Sequence, residues 1–183
     1  MGSDRGFFWL DDPKSGYHEI LRDVSITSIY PLSDGTIVLG MSDSKSKMTG
    51  VKIIGGESYG RTGWIDELGK KTVTAITEGD SGLFLGTESS GVMILSEDGI
   101  SEISTSVKTK RVNDILDDKG TIYVASEAGL FAFDAKDLSL IPLNGPDGSF
   151  SFEVTSLSPG PGASIWVGTK QNGVYLVRYR KGK

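Results

Sequence analysis

One histidine, His18, and no cysteine remove most routes to catalysis from this chain. Charge-relay triads need a histidine beside the nucleophile, zinc sites draw on several histidines or cysteines, and thiol chemistry needs a thiol. His18 lies in a short strand-like run near the start, where a surface place is expected rather than a general base. The paired acids Asp11-Asp12 and Asp117-Asp118 fall between apolar runs, where aspartate is favoured because its carboxylate bonds the backbone of a turn. No Asp-x-Asp-x-Asp spacing is present for calcium. A glycosidase-like pair of carboxylates has one candidate, Asp114, and no second acid at the matching position. The Gly-rich stretch 55–63 holds Tyr59 and Arg61 but lacks a Gly-Lys-Ser/Thr ending, so phosphate binding is not expected. The expectation is a protein with no catalytic, metal or cofactor site.

Recognition is what the remaining side chains can do. Lys45, Lys47, Glu88, Lys110, Arg111, Glu127, Lys170 and Gln171 make a set of mixed charge with an amide, suited to a polar small molecule such as a sugar or an acidic metabolite. Read singly, each is a solvated loop residue. They become a site only if the fold gathers them, and the gathering device is a repeat.

Four copies of one pattern begin at Ile26, Val73, Val112 and Val154, spaced by 47, 39 and 42 residues. They read ITSIYPLSDGTIVLGM, VTAITEGDSGLFLGT, VNDILDDKGTIYVAS and VTSLSPGPGASIWVGT, each followed by a Gly-led apolar run at Gly50, Gly91, Gly129 and Gly173. Short strands repeating every 40–50 residues or so predict a β-propeller. In each copy the opening tetrad is strand A, lining the central axis. Ile37–Gly40, Leu83–Gly86, Ile122–Ala125 and Ile165–Gly168 are strand B, the Gly-led run is strand C, and a weaker alternating run is strand D. The short residues at the second and third places of strand A (Thr27 and Ser28, Thr74 and Ala75, Asn113 and Asp114, Thr155 and Ser156) fit a crowded axis. Val38, Phe84, Tyr123 and Trp166 are the residues that pack on the next blade, and Gly40, Gly86, Ala125 and Gly168 stay small for close backbone approach. No helix is indicated; 66–71 is polar enough to tempt one but sits where strand D belongs.

The boundaries follow: 1–5 a tag-like or disordered start, 6–177 one all-β propeller domain, and 178–183 a basic tail. Inside the domain, 6–24 is a partial blade, 26–71, 73–111 and 112–153 are full blades of four antiparallel strands, and 154–177 is a partial blade. That is a propeller of about four blades with one strand in excess. It closes on itself, is completed by a second chain into an eight-bladed ring, or is a piece of a larger array. In such a fold the B–C loops and D–A connections share one rim, and all eight candidates fall there. Phe150 and Phe152 form a lip on that rim or cap an apolar wedge. Stretch 55–63, ending at Trp64, should emerge on the opposite face, as an insertion or a partner contact.

The strand A to C core, best in 154–177 with Ser164-Ile165-Trp166-Val167-Gly168-Thr169 and nearly as good in 73–95, resembles the two-component regulator propeller repeat. The 112 copy departs with Ala125-Ser126 in place of Gly-Thr, and the 26 copy with Met41-Ser42 and a longer loop. The resemblance implies an extracytoplasmic, ligand-sensing and noncatalytic module of signal transduction, often one that binds glycan breakdown products. A self-associating structural propeller is the alternative. A propeller lyase similar to the streptogramin-cleaving enzymes is a third reading, disfavoured by the single histidine.

Net charge is −5 and the isoelectric point about 4.9. Basic residues cluster only in the tail (Arg178, Arg180, Lys181, Lys183), so nucleic acid is not an expected partner. No apolar run reaches the roughly 18 residues of a membrane span. A secretory leader is not seen, and Met1-Gly2-Ser3 reads as an added start. The expected partners are a small polar ligand or glycan, with a homodimer as the self-associating alternative.

Overall fold

In a computed structural model the described residues are 2–3, 6–9, 14, 16, 18–42, 49–55, 63–64, 68–103, 111–143 and 150–178. Among them the chain is all β-strand, in antiparallel sheets of the propeller-blade kind. The first sheet holds β1 (Gly2–Ser3), β2 (Gly6–Trp9) and β3 (His18–Arg22). Three sheets of four strands follow: β4 (Ser25–Pro31), β5 (Ile37–Ser42), β6 (Gly50–Ile54) and β7 (Gly63–Trp64); β8 (Val73–Gly79), β9 (Gly82–Thr87), β10 (Val92–Ser96) and β11 (Gly99–Glu102); β12 (Val112–Asp117), β13 (Thr121–Ser126), β14 (Gly129–Asp134) and β15 (Leu140–Ile141). The last sheet has β16 (Val154–Pro159), β17 (Ser164–Thr169) and β18 (Val174–Arg178).

Two strand assignments shift from the sequence reading. The fourth strand of the second sheet is the two-residue β7, paired to Lys52 and Ile53, and not 66–71. The strand needs a partner edge on β6, and the chain reaches it at Gly63–Trp64 before turning back at Leu68–Lys70. At the start, Gly2–Ser3 pairs with Gly6 and Phe7, so part of the expected tag-like start is strand.

Each sheet has two apolar faces, one toward the preceding sheet and one toward the following. Val38, Val51 and Ile53 face forward and pack with Ile76, Leu83, Leu85, Met93 and Leu95 of the next sheet. Phe84, Val92 and Ile94 repeat this against Ile115, Ile122, Val124 and Phe133. Tyr123, Leu130 and Ala132 repeat it against Val154, Ile165 and Val167. Alternation on a pleated strand is what separates the two faces. The small residue after the forward-facing pair is small for a reason visible in the packing. A Cβ on Gly86 would lie 2.5 Å from Val112 Cγ1, and one on Gly40 would lie 2.9 Å from the Val73 carbonyl oxygen.

Every inner strand (β4, β8, β12, β16) carries a bulge near its start, between Ile26 and Ser28, Val73 and Ala75, Val112 and Asp114, and Val154 and Ser156. A bulge re-aims a side chain, and here it aims it sideways. Thr27 Oγ1 donates to the Val73 carbonyl, Thr74 Oγ1 to the Val112 carbonyl at 2.6 Å, and Asn113 Nδ2 to the Val154 carbonyl at 2.8 Å. These residues are short and polar because they stitch blade to blade. Crowding at the axis is not the cause, since Thr27 is exposed and Thr74 and Asn113 are half-buried.

Candidate functional site

The rim is built by two local hydrogen-bond patterns. In three of the blades a hydroxyl at the end of the B strand closes the B–C hairpin; Met41 holds that place in β5. Thr87 Oγ1 donates to the Gly91 carbonyl at 2.8 Å and accepts from Ser90 N at 2.8 Å. Thr169 Oγ1 does the same with Gly173 and Asn172, and Ser126 Oγ with Gly129 and Ala128. Serine at 126, a departure from the repeat in letters, is therefore no departure in chemistry, since both residues offer a hydroxyl two bonds from Cα. The first loop residue then bonds back to the residue before strand A: Glu88 N to Thr72 O, Glu127 N to Arg111 O and Lys170 N to Glu153 O. B–C loops and D–A connections thus share one end of the blades.

On that end the expected residues divide. Glu88 and Arg111 meet across two blades, Arg111 Nη1 lying 3.9 Å from Glu88 Oε1, both about half exposed. Glu127 is exposed and makes no ion pair among the described residues. Lys170 and Gln171 belong to the last sheet, where Lys170 Nζ donates to Glu153 Oε2 at 2.8 Å. Lys45, Lys47 and Lys110 lie outside the described residues, as do 56–62 of the Gly-rich stretch and the pair Asp11-Asp12.

Phe150 is buried and belongs to the apolar cluster between the last two sheets, which makes it a cap on that wedge. Phe152 is half-buried and lies flat against Tyr175, ring centroids 5.5 Å apart at 25°. Phe150 meets both rings edge-on, the arrangement aromatic quadrupoles prefer. Phe152, Glu153, Lys170, Gln171 and Asn172 line a hollow of about 170 Å³. At about 30 Å³ of liquid per water, that is room for roughly five or six waters, or one sugar-sized ring. The side-chain amides of Gln171 and Asn172 have no partner among the described residues, so both donors and acceptors remain for a ligand. Sequence reading placed Lys170 and Gln171 here and missed Asn172 and Glu153, which follow from the hairpin geometry.

A larger hollow of about 980 Å³ opens at the opposite end of the inner strands, among Tyr30, Ile76, Asp80, Leu116, Asp117 and Lys119. Two of its acids serve the hairpins that carry them. Asp117 Oδ1 accepts from Gly120 N at 3.1 Å, and Asp134 Oδ1 accepts from Lys136 N at 2.9 Å. Burial, then the charges of Asp80 and Asp118, hold the Asp117 carboxyl above its usual range against that bond. Asp114, the one acid at the short-residue places of the inner strands, is also a stitch: its oxygens accept from Ile115 N at 2.9 Å and Leu157 N of the next sheet at 2.7 Å. Burial raises its pKa despite both bonds. No helix among the described residues is long and apolar enough to cross a membrane.

No family model and no curated protein matches the chain. Solved structures do, in fold. The extracellular domain of a candidate one-component system of B. thetaiotaomicron, BT4673, superposes with a TM-score of 0.74 at 16% identity, over 98% of this chain and 26% of that one. PorZ, a surface component of the type-IX secretion system of Porphyromonas gingivalis, gives 0.65 at 17% identity, over 94% and 29%. The computationally designed Ika4 protein gives 0.55 at 19% identity, over 84% and 91%. The chain thus spans about a quarter of the length of the two natural proteins. At these identities the likeness is one of fold.

Proposed function

We propose that this chain is a noncatalytic binding segment of a sensor-type β-propeller, recognising a polar small molecule or the end unit of a glycan on its loop-rich rim. The observation that carries the reading is the hollow at Phe152. An aromatic ring lines it beside two amides without partners among the described residues and the Glu153–Lys170 pair. A sugar ring offers the matching surfaces, a C–H face for the aromatic and hydroxyls for the amides. The hollow is smaller than the roughly 300 Å³ at which drug-sized pockets begin, which fits recognition of one terminal ring at modest affinity. Likeness in fold to the extracellular domain of a candidate one-component system supports the sensor role and an extracytoplasmic place.

The test is a calorimetric and thermal-shift titration with neutral and acidic mono- and disaccharides. A ligand that binds only the native state raises the melting temperature by mass action. Gln171→Ala and Asn172→Ala, both at exposed positions, should abolish the rise while leaving the unliganded melting temperature in place. A full panel with no response, or a response untouched by both variants, sinks the assignment.

A further inference from the structure

The hairpin between β17 and β18 carries a side chain that its own fold does not use. Asn172 N donates to Thr169 Oγ1 at 2.9 Å, and the Gly173 carbonyl accepts from that hydroxyl at 2.7 Å. Ser90 and Gly91 make the same two bonds with Thr87 between β9 and β10. The turn therefore asks for a backbone N–H at position 172 and not for an amide side chain. Asn172 is exposed, and so are Glu88, Ser89, Glu127 and Ala128 at the tips of the interior hairpins, where a following sheet is present. Gly173 comes next at φ 78°, and a Cβ there would meet nothing within 4 Å. Its N–H makes no hydrogen bond among the described residues. An unused amide thus precedes an unshielded backbone nitrogen. Of the other two asparagines, Asn144 lies outside the described residues. Asn113 holds its amide on the Val154 carbonyl at 2.8 Å and is followed by Asp114.

We propose that Asn172–Gly173 is a site of spontaneous deamidation, which turns one wall of the hollow at Phe152 from an amide into a carboxylate. The Gly173 nitrogen gives up its proton to solvent base and attacks Asn172 Cγ. The new C–N bond closes a succinimide, and Nδ2 leaves as ammonia with a proton from water. Water then opens the ring at either carbonyl, leaving aspartate or isoaspartate. One water is consumed and one ammonia released, and no oxidant or cofactor enters. Asparagine is among the thermolabile side chains, and a glycine after it, having no Cβ, leaves the approach of the nitrogen and the backbone turn it needs open. The product adds a negative charge beside Glu153 and Lys170, which line the same hollow. Lys170 already donates to Glu153 at 2.8 Å, so the new carboxylate repels acidic ligands and takes an amide donor from neutral ones. That consequence rests on the ligand reading; the conversion itself does not.

Mass spectrometry of the full chain, aged at neutral to mildly alkaline pH and digested with trypsin beside an unaged control, tests it. Asn172 falls in the peptide 171–178 and Asn113 in 112–119, and conversion adds the mass difference between NH and O to either. The folded chain should convert Asn172 at least about tenfold faster than Asn113, whose amide must first leave the Val154 carbonyl. Unfolding in guanidinium chloride should then speed Asn113 more than Asn172. Asn172→Ser, which copies Ser90, should keep the hairpin and abolish the mass gain in its peptide. A folded chain whose Asn172 stays intact while the unfolded chain converts it overturns the proposal, as does conversion no faster than at Asn113. Fresh Asn172→Asp reads the consequence: the saccharide-induced rise in melting temperature should be lost. A rise equal to that of wild type overturns the switch of the hollow, whereas no rise in either protein sinks the ligand reading and leaves the conversion standing.

Discussion

The junction between the third and fourth sheets and the forward face of the last sheet are built from the same sequence positions, yet one is sealed and the other open. Phe84, Val92 and Ile94 are buried against the next blade; Trp166, Val174 and Leu176 are not. Thr74 has its carbonyl; Thr155 has none among the described residues. A blade therefore does not own its stability. Half of what its forward residues contribute belongs to the neighbour, as expected of stacked repeats whose free energy is a sum of intrinsic and nearest-neighbour terms.

The largest contrast should come from the aromatic position. Phe84→Ala removes a fully buried ring and should cost about 3–5 kcal/mol. Trp166→Ala, on the open face, should stay within about 1 kcal/mol in the isolated chain, because little area returns to water. Urea unfolding of both reads this directly. Equal losses would mean that the trailing face is covered in solution.

Next comes the small position. Gly86→Ala pushes a methyl into Val112 Cγ1, and overpacking of this kind costs about 1–3 kcal/mol. Gly168→Ala meets only the Ser156 hydroxyl of its own sheet, which can rotate away, so a loss of under about 0.5 kcal/mol is expected. If Gly168→Ala proves as damaging as Gly86→Ala, the glycine serves its own strand and not the neighbour.

These contrasts also show what the sequence could and could not tell. Val38, Phe84, Tyr123 and Trp166 were legible as the interblade residues because period and strand alternation set which side a residue faces. Whether anything meets that side depends on a neighbour that the letters of the blade do not encode, and so Trp166 read the same as Phe84. The stitching role of Thr27, Thr74 and Asn113 was hidden for a different reason. A bulge leaves no mark in a pattern of short polar residues, and crowding at an axis explains the same letters. The hollow at Phe152 was half legible. Lys170 and Gln171 were named from their loop, but the ring beside them depends on Tyr175, one strand away, turning flat against Phe152. The short β7 escaped because two residues are too few to show alternation.

A smaller effect separates the stitches themselves. Thr74→Val keeps the shape and deletes the donor to the Val112 carbonyl, a loss of about 0.5–1.5 kcal/mol. Thr155→Val deletes a hydroxyl that bonds nothing described and should leave the isolated chain's urea midpoint unchanged.

The finest test uses pH on the one charged stitch. Asp114 ties β12 to β16 through Leu157 N, whereas Ser156, its counterpart in the last sheet, ties no other sheet among the described residues. Burial raises the Asp114 pKa more than its two backbone bonds lower it, so the native state holds this proton more tightly than the unfolded chain does. Stability from this group is then fully present below the ordinary carboxylate range and is lost as pH rises through the raised native value. Asp114→Asn cannot titrate, and its amide carries a donor where the protonated carboxyl carries its O–H, so it should match wild type at acid pH. Wild type should lose stability relative to Asp114→Asn as pH rises toward neutrality. Ser156→Ala should show no such pH-dependent difference. Urea midpoints across that range decide it. A wild type that gains on Asp114→Asn as pH rises would mean that the ionised carboxylate strengthens the junction, with its two main-chain bonds outweighing its burial.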